Sequence, residues 1–556
     1  MKLNLQYLQL HKRFGSVDEI ELTLADIAET LDCTHRSAVT IMGKLAALGW
    51  IDWNSRRGRA RRSSLRFLAE PREIARASLH QAMNSNQLRR SLEQLVSHAA
   101  TDKEEPFEVW LASYFGHRAE VRQDRQIDIL RLPIREQLHS IDPLTMNLVA
   151  ESFVSSHVYD VLVRRSRENG EMLPGLAHAW ESEAEGRRWT FYLRKGVNFH
   201  DGRTLTADDV VYSLERLIHP ARRTLYGTLF RLIRSVRALT PAVVAIELTS
   251  AHELFLPLLS TSRAGIISRS DGRSSASQAA TPPAGTGPFK PVHWEPALCV
   301  LEANPHYHLG RAQLDRVEIV HVPWASGHAQ PDPHAPFHIM HHAGAPDTGW
   351  SRISSETRVC KFITCNTKRG GPLTRPAVRS AVMAALAESS PHPVPDSSPL
   401  LAEPLRLMTI EHYREDARQA ADRLASAGYR CEVTTASPDA FKGERRLSAD
   451  LILFSLLRDQ DVQLRLYDLY ATMQSHLDST AAERVDRTLQ AVSAEAETER
   501  RMMHFDELEA ALVAEHQLHI LYEKPVQAAY LPSVRGVALG AQGWMDLRKL
   551  WFPPVH

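Results

Sequence analysis

The 556-residue sequence predicts a multidomain chain, in which a small α+β unit of about seventy residues precedes a much larger α/β unit. Three observations predict this. Short amphipathic helices and an arginine-rich hairpin fill the first seventy residues or so. From about residue 120 to the C-terminus, strands alternate with capped helices. Between the two units, Leu88, Leu92, Leu95 and Val96 form an apolar helical stripe, which the polar run TDKEEP breaks near Pro106.

With 43% hydrophobic and 24% charged residues, the chain is globular and long enough for about three to four domain-sized units. Sixty-six basic residues balance sixty-six acidic ones. Zero net charge excludes a protein that coats nucleic acid by overall charge, so any DNA binding must come from a local patch. The first residues, MKLNLQYLQLHKRFGS, lack an uninterrupted apolar run and a small-residue cleavage site, so no secretory signal is expected. No run of about twenty apolar residues predicts a membrane span. The five cysteines, at 33, 299, 360, 365 and 431, are odd in number and scattered. They suit reduced thiols in a cytoplasmic protein.

In chain order, Leu3, Tyr7, Leu10 and Phe14 lie at helical spacing and give a first helix ending near Gly15. Thr23, with Asp26 three residues on, caps a second helix whose stripe is Leu24, Ile27, Ala28 and Leu31. After a turn at Asp32-Cys33, Thr34 caps a third, HRSAVTIMGKLAAL, with Ala38, Met42 and Leu45 facing inward. Its opposite stripe holds Arg36, Ser37, Thr40 and Lys44, all hydrogen-bond donors, with no acid among them. Two short helices joined by a tight turn, the second with a donor-rich face, are what a helix-turn-helix places in the major groove. WIDWN and SLRFL then form a hairpin whose tip, SRRGRARRS, carries Arg56, Arg57, Arg59, Arg61 and Arg62. From Trp50 to Leu68 there are six Arg against one Asp, a patch suited to phosphates. The candidate DNA-binding residues are Arg36, Ser37, Thr40, Lys44, Arg56, Arg57, Arg59 and Arg61, and the unit resembles a winged helix.

The segment Pro71 to Gly116 reads as helices, either a spacer or a transmitter of ligand state to the first unit. In the large unit, Trp189 to Leu193 alternates as a half-buried strand and Asp201-Gly202 makes a turn. Thr206 then starts a helix, its hydroxyl accepting from the backbone while Asp209 reaches back, with Val210, Leu214 and Leu217 on one face. A βαβ unit follows later: strand Leu405 to Thr409, helix Glu411 to Ala427 closed by Gly428, and strand Arg430 to Thr434.

The stretch WTFYLRKGVNFHDGRTLTADDVVYSLERL (Trp189 to Leu217) resembles the signature of the family 5 extracellular solute-binding proteins, receptors for ABC importers of oligopeptides, nickel or certain sugars. The resemblance continues in YDVLV (Tyr159 to Val163), LPGLAHAW (Leu173 to Trp180), GTGPFKPVHW (Gly285 to Trp294) and FITCNTKRGGPLTRPAVRSAV (Phe362 to Val382). Placed behind a winged helix, it makes the whole chain similar to the SgrR family of transcriptional regulators. The resemblance implies a winged helix-turn-helix over residues 1–70 and a helical connector over 71–120. A two-lobed α/β domain of periplasmic-binding-protein type fills 121–556, with lobe I at about 121–340 and 515–556 and lobe II at about 341–514.

It also implies a cytoplasmic regulator with promoter or operator DNA, a small solute and RNA polymerase as partners. The alternative is a transport receptor with an atypical N-terminal extension. Peptide-binding relatives hold the ligand's amino group on an aspartate in a Trp- and Asp-rich stretch of the second lobe. The corresponding ADLILFSLLRDQDVQLRLYDLY keeps Asp459 and Asp461 but lacks the Trp, which speaks against a peptide. Arg458 beside them suits an anionic group such as a phosphate; an exposed charged turn is the competing reading. Arg458, Asp459 and Asp461 are the candidate ligand residues, for a sugar phosphate, sugar or short peptide.

Six histidines, His321, His328, His334, His338, His341 and His342, share one stretch, but prolines interrupt it and no carboxylate or thiolate set accompanies it. No metal, cofactor or catalytic set is expected.

Overall fold

The structure is a computed structural model that describes residues 2–15, 19–31, 33–54, 62–71, 74, 115–122, 125–134, 137–220, 224–269, 282–321, 339–341, 351–387, 401, 403–530, 533–539 and 544–553. Its N-terminal unit contains helices α1 (Lys2–Phe14), α2 (Leu24–Thr30) and α3 (His35–Ala47). Three antiparallel strands, β1 (Ile20–Leu22), β2 (Ile51–Asn54) and β3 (Ser63–Phe67), lie in the order β1-β3-β2. This is a winged helix-turn-helix. The expected stripes are its core: Tyr7, Leu10, Phe14, Ile27, Ala28, Leu31, Ala38, Met42 and Leu45 are all buried. The Tyr7 hydroxyl donates to the Ala69 carbonyl, and its ring meets Trp50 and Phe67 edge to face. At the start of α2, Asp26 accepts from the Thr23 N–H at 2.9 Å while the Thr23 hydroxyl oxygen accepts from the Asp26 N–H at 3.3 Å. β1 was not expected, because three residues are too few for a period to show. In the hairpin, Ile51 pairs with Phe67 and Trp53 with Leu65, as the alternation requires.

Pro71 and Ile74 are described, and Ile74 is buried in the N-terminal core. Residues 75–114, with the Leu88, Leu92, Leu95, Val96 stripe, lie outside the described residues. Residues 116–120, expected in the helical connector, instead form part of the strand Gly116–Arg122, paired antiparallel with Arg125–Ile134. This is the edge of a five-stranded sheet that continues through Arg316–His321, Leu298–Ala303 and Phe289–Glu295. Side chains alternate across a strand, so the sheet has two apolar faces. Cys299, Leu301, Val317 and Ile319 join one core with the helix Val149–Val158 and the C-terminal residues Val534 to Phe552. Leu298, Val300, Val320 and Phe115 join the apolar cluster that begins with the winged helix. On that side Glu318, nearly fully buried, takes the Arg131 guanidinium at 2.6 Å.

A four-stranded antiparallel sheet (Ile233–Thr240, Val243–Leu248, Arg188–Leu193, Ala177–Glu183) carries the helix Ala207–Ile218. The Thr206 hydroxyl there donates to Asp209 at 2.9 Å, where the sequence reading has it accept. Asp209 does reach back, accepting from the Thr206 N–H at 3.0 Å, and the Arg203 guanidinium and the Arg269 N–H also donate to it. The six-stranded sheet runs Ile339–His341, Leu518–Tyr530, Ser351–Cys365, Leu451–Arg458, Leu405–Ile410 and Cys431–Ala436, the last two parallel as the βαβ reading requires. Residues 518–530 therefore belong with this lobe's sheet, and the chain rejoins the first lobe's core from Tyr530 on, later than the expected 515. All five cysteines are free thiols, and Cys299, Cys360 and Cys365 are buried.

The GTGPF stretch owes its glycines to close packing. A Cβ on Gly285 would lie 2.0 Å from the Val158 carbonyl oxygen, and one on Gly287 2.7 Å from that of His157. Replacing Gly285 by Ala is expected to destabilise the chain by at least the ~1–3 kcal/mol usual for overpacking, because backbone, not a flexible side chain, must yield. Urea unfolding would measure it, and a change below about 0.5 kcal/mol would refute the steric account.

Candidate functional site

Two surfaces carry the expected chemistry. On the first, α3 is held by Ala38, Met42 and Leu45 in the core and by its cap, where the Thr34 hydroxyl accepts from the Ser37 N–H at 3.2 Å. The opposite face is therefore turned outward: Arg36, Ser37, Thr40 and Lys44 are all exposed. Thr40 donates its hydroxyl to the Arg36 carbonyl at 3.0 Å, which leaves its oxygen as an acceptor. Neither Arg36 nor Lys44 is paired with a carboxylate among the described residues. Arg62 is exposed at the root of the hairpin. Arg56, Arg57, Arg59 and Arg61 at its tip lie outside the described residues.

The second surface is a cavity of about 190 Å³ between the lobes. The first lobe supplies Phe153, Tyr159 and Asp160, the arginines 164, 165 and 167, and Trp544, Asp546 and Arg548; the second supplies Gln460 and Asp461. Asp160 is held by the Tyr307 hydroxyl at 3.0 Å and the Thr286 hydroxyl at 3.3 Å. Asp546 binds Arg548 through two 2.7 Å hydrogen bonds. Burial alone would raise its pKa, but His157 and Arg548 hold it well below the usual carboxylate range. Arg165 donates to the Gln460 carbonyl and so spans the lobes. A second crossing is Asn147, which donates to Asp439 at 2.9 Å and accepts from Lys442 at 2.7 Å.

Asp461 has one carboxylate oxygen, Oδ1, with no hydrogen-bond partner among the described residues, and only 7% of the residue is exposed. Burial first, and the neighbouring Asp459 second, push its pKa up to about 7. Arg167 stands exposed at the rim. With four arginines against three aspartates, one of them readily protonated, the lining favours a ligand with an anionic group.

Of the three expected ligand residues, only Asp461 reaches the cavity. Arg458 is turned into its own lobe, donating to both Glu509 oxygens at 2.9 and 2.7 Å with Glu523 at 3.7 Å, so its charge is already neutralised. Asp459 is a fork for Arg465, at 2.8 to 3.2 Å. The arginines that line the cavity were passed over, although RRSR directly after YDVLV places three of them within four residues. Among the described residues no group of three or more His, Cys, Asp or Glu stands together as metal ligands would. His328, His334, His338 and His342 lie outside the described residues.

Residues 2–118 match the family described as sugar transport-related sRNA regulator, N-terminal, and residues 171–388 match the bacterial extracellular solute-binding proteins, family 5. The chain is 25% identical to the HTH-type transcriptional regulator SgrR of Yersinia pestis, over 100% of this chain and 99% of that one. It is 27% identical to the uncharacterized protein YhjP of Bacillus subtilis (strain 168), over 99% of this chain and 100% of the relative. Among solved structures, it is similar to the periplasmic binding protein DppA of Helicobacter pylori in complex with the peptide STSA, with a TM-score of 0.62 and 18% identity over 76% of this chain and 98% of that one. NikA of Brucella suis in complex with Fe(III)-EDTA gives 0.61 and 17%, over 76% and 100%. At these identities the solved structures speak for the fold alone. The chain thus joins a segment that matches the sugar transport-related sRNA regulator N-terminal family to one that matches the family 5 solute-binding proteins, and over its whole length it is similar to HTH-type transcriptional regulators named SgrR.

Proposed function

We propose that this protein is a transcription regulator of the cytoplasm that binds operator DNA through α3 and the wing and senses a small solute in the interlobe cavity, without catalysing a reaction. The observation that carries the reading is the acid-free, exposed outer face of α3, where Arg36 and Lys44 have no carboxylate partner among the described residues, in a unit whose apolar core continues into the solute-binding domain. A transport receptor has no use for such a face. Arg164 and Arg167 take the part first given to Arg458, and a sugar phosphate suits them better than an uncharged sugar or a peptide. RNA polymerase is a further partner in the same reading.

Titrating the full chain onto duplex DNA over a range of salt, with and without a sugar phosphate, a sugar or a short peptide, tests this. The log-log salt slope should become shallower by about 1.8 when Arg57 and Arg59 are both replaced by Ala, at roughly 0.9 per phosphate contact. One solute class should change DNA affinity by about 5- to 150-fold. Affinity that does not depend on salt, or on any of the three solutes, would sink the reading.

A further inference from the structure

The outer face of α3 carries one residue that hydrogen bonding does not explain. Val39 is 54% exposed. It is β-branched, a poor choice for a solvated helix position. It lies three residues after Arg36 and four before Gly43, so these three are neighbours on the helix surface. Among the described residues a Cβ on Gly43 would meet nothing within 4 Å, so no packing among them demands glycine there or covers the surface beside Val39. Thr40 and Lys44 complete the face, both exposed.

An apolar side chain ringed by donors matches one feature of the major groove. Among the base edges displayed there, only thymine offers an apolar group, its C5 methyl. Resting on the DNA-binding reading above, the geometry points to Val39 as a specificity-determining residue that packs on the C5 methyl of a thymine, while Arg36 and Lys44 bond the neighbouring base edges or phosphates. The missing side chain at Gly43 lets the base approach without a clash.

The test uses the full chain and a duplex selected by it from a random-sequence pool. Each thymine is replaced in turn by uracil, which removes the methyl and nothing else. For the unaltered protein, at least one position should show about fourfold weaker binding, the worth of one buried methyl. Val39→Ser should lose that penalty at that position only, and Val39→Ile should keep it. The inference is overturned if no thymine is sensitive, or if Val39→Ser retains the same penalty at every position. A pool that yields no preferred sequence would instead overturn the DNA-reading function on which this rests.

Discussion

Replacing Arg36 and Lys44 together by alanine is expected to weaken binding to the preferred operator by about 2–6 kcal/mol, at about 1–3 kcal/mol for each base-reading contact. This corresponds to a loss of roughly thirtyfold to twenty-thousandfold. Both side chains are exposed and have no carboxylate partner among the described residues, so the change leaves the core of Ala38, Met42 and Leu45 untouched. Binding to unrelated duplexes should fall far less, because phosphate contacts from the wing do not depend on sequence. Competition between operator and random DNA, followed by fluorescence anisotropy, gives the ratio directly. If that ratio is the same for the altered and unaltered proteins, α3 is not the reading helix.

The second large effect concerns Asp461. Its carboxyl is raised to about 7 in the folded chain, against an ordinary value near 3.9 in the unfolded one. Between those two pH values the folded chain keeps a proton that the unfolded chain has lost, so stability falls as the pH rises through the window. Three pH units correspond to a penalty on the order of 4 kcal/mol above neutrality. Asparagine has nearly the same shape and does not ionise. Asp461→Asn should therefore be the more stable protein at pH 8, its advantage widening by about 3 kcal/mol between pH 5 and pH 8 in urea unfolding. An advantage independent of pH would mean that burial does not hold the proton. Any ligand donor that reaches Oδ1 relieves the same penalty, which makes this residue a sensitive reporter of occupancy.

Features whose cause lies within a few residues were legible in the sequence. The Thr23–Asp26 cap, the buried stripe of α3, the Ile51/Phe67 hairpin and the Leu405–Gly428–Cys431 crossover each follow from local periodicity or turn chemistry. Elements too short or too polar to show a period were missed, β1 at Ile20–Leu22 and the edge strand Gly116–Arg122 among them. The candidate ligand site was half legible. Asp461 lines the cavity, but Arg458 owes its fate to Glu509, far along the chain, and no local pattern announces that pairing. The arginines of RRSR were visible as composition; that they share a cavity with Arg548 is a consequence of the fold alone.

The five-stranded sheet has a bearing on how this protein can be taken apart. Its strand Leu298–Ala303 has a core on each side, one of them begun by the winged helix. A free-standing solute-binding domain would meet water with that face. Cutting the chain just before Phe115 would turn Leu298, Val300 and Val320 from interior into surface and hydrate the Arg131–Glu318 pair. The two units are therefore not interchangeable cassettes: a chimera that grafts this reader onto another receptor must also transplant the sheet face on which it rests.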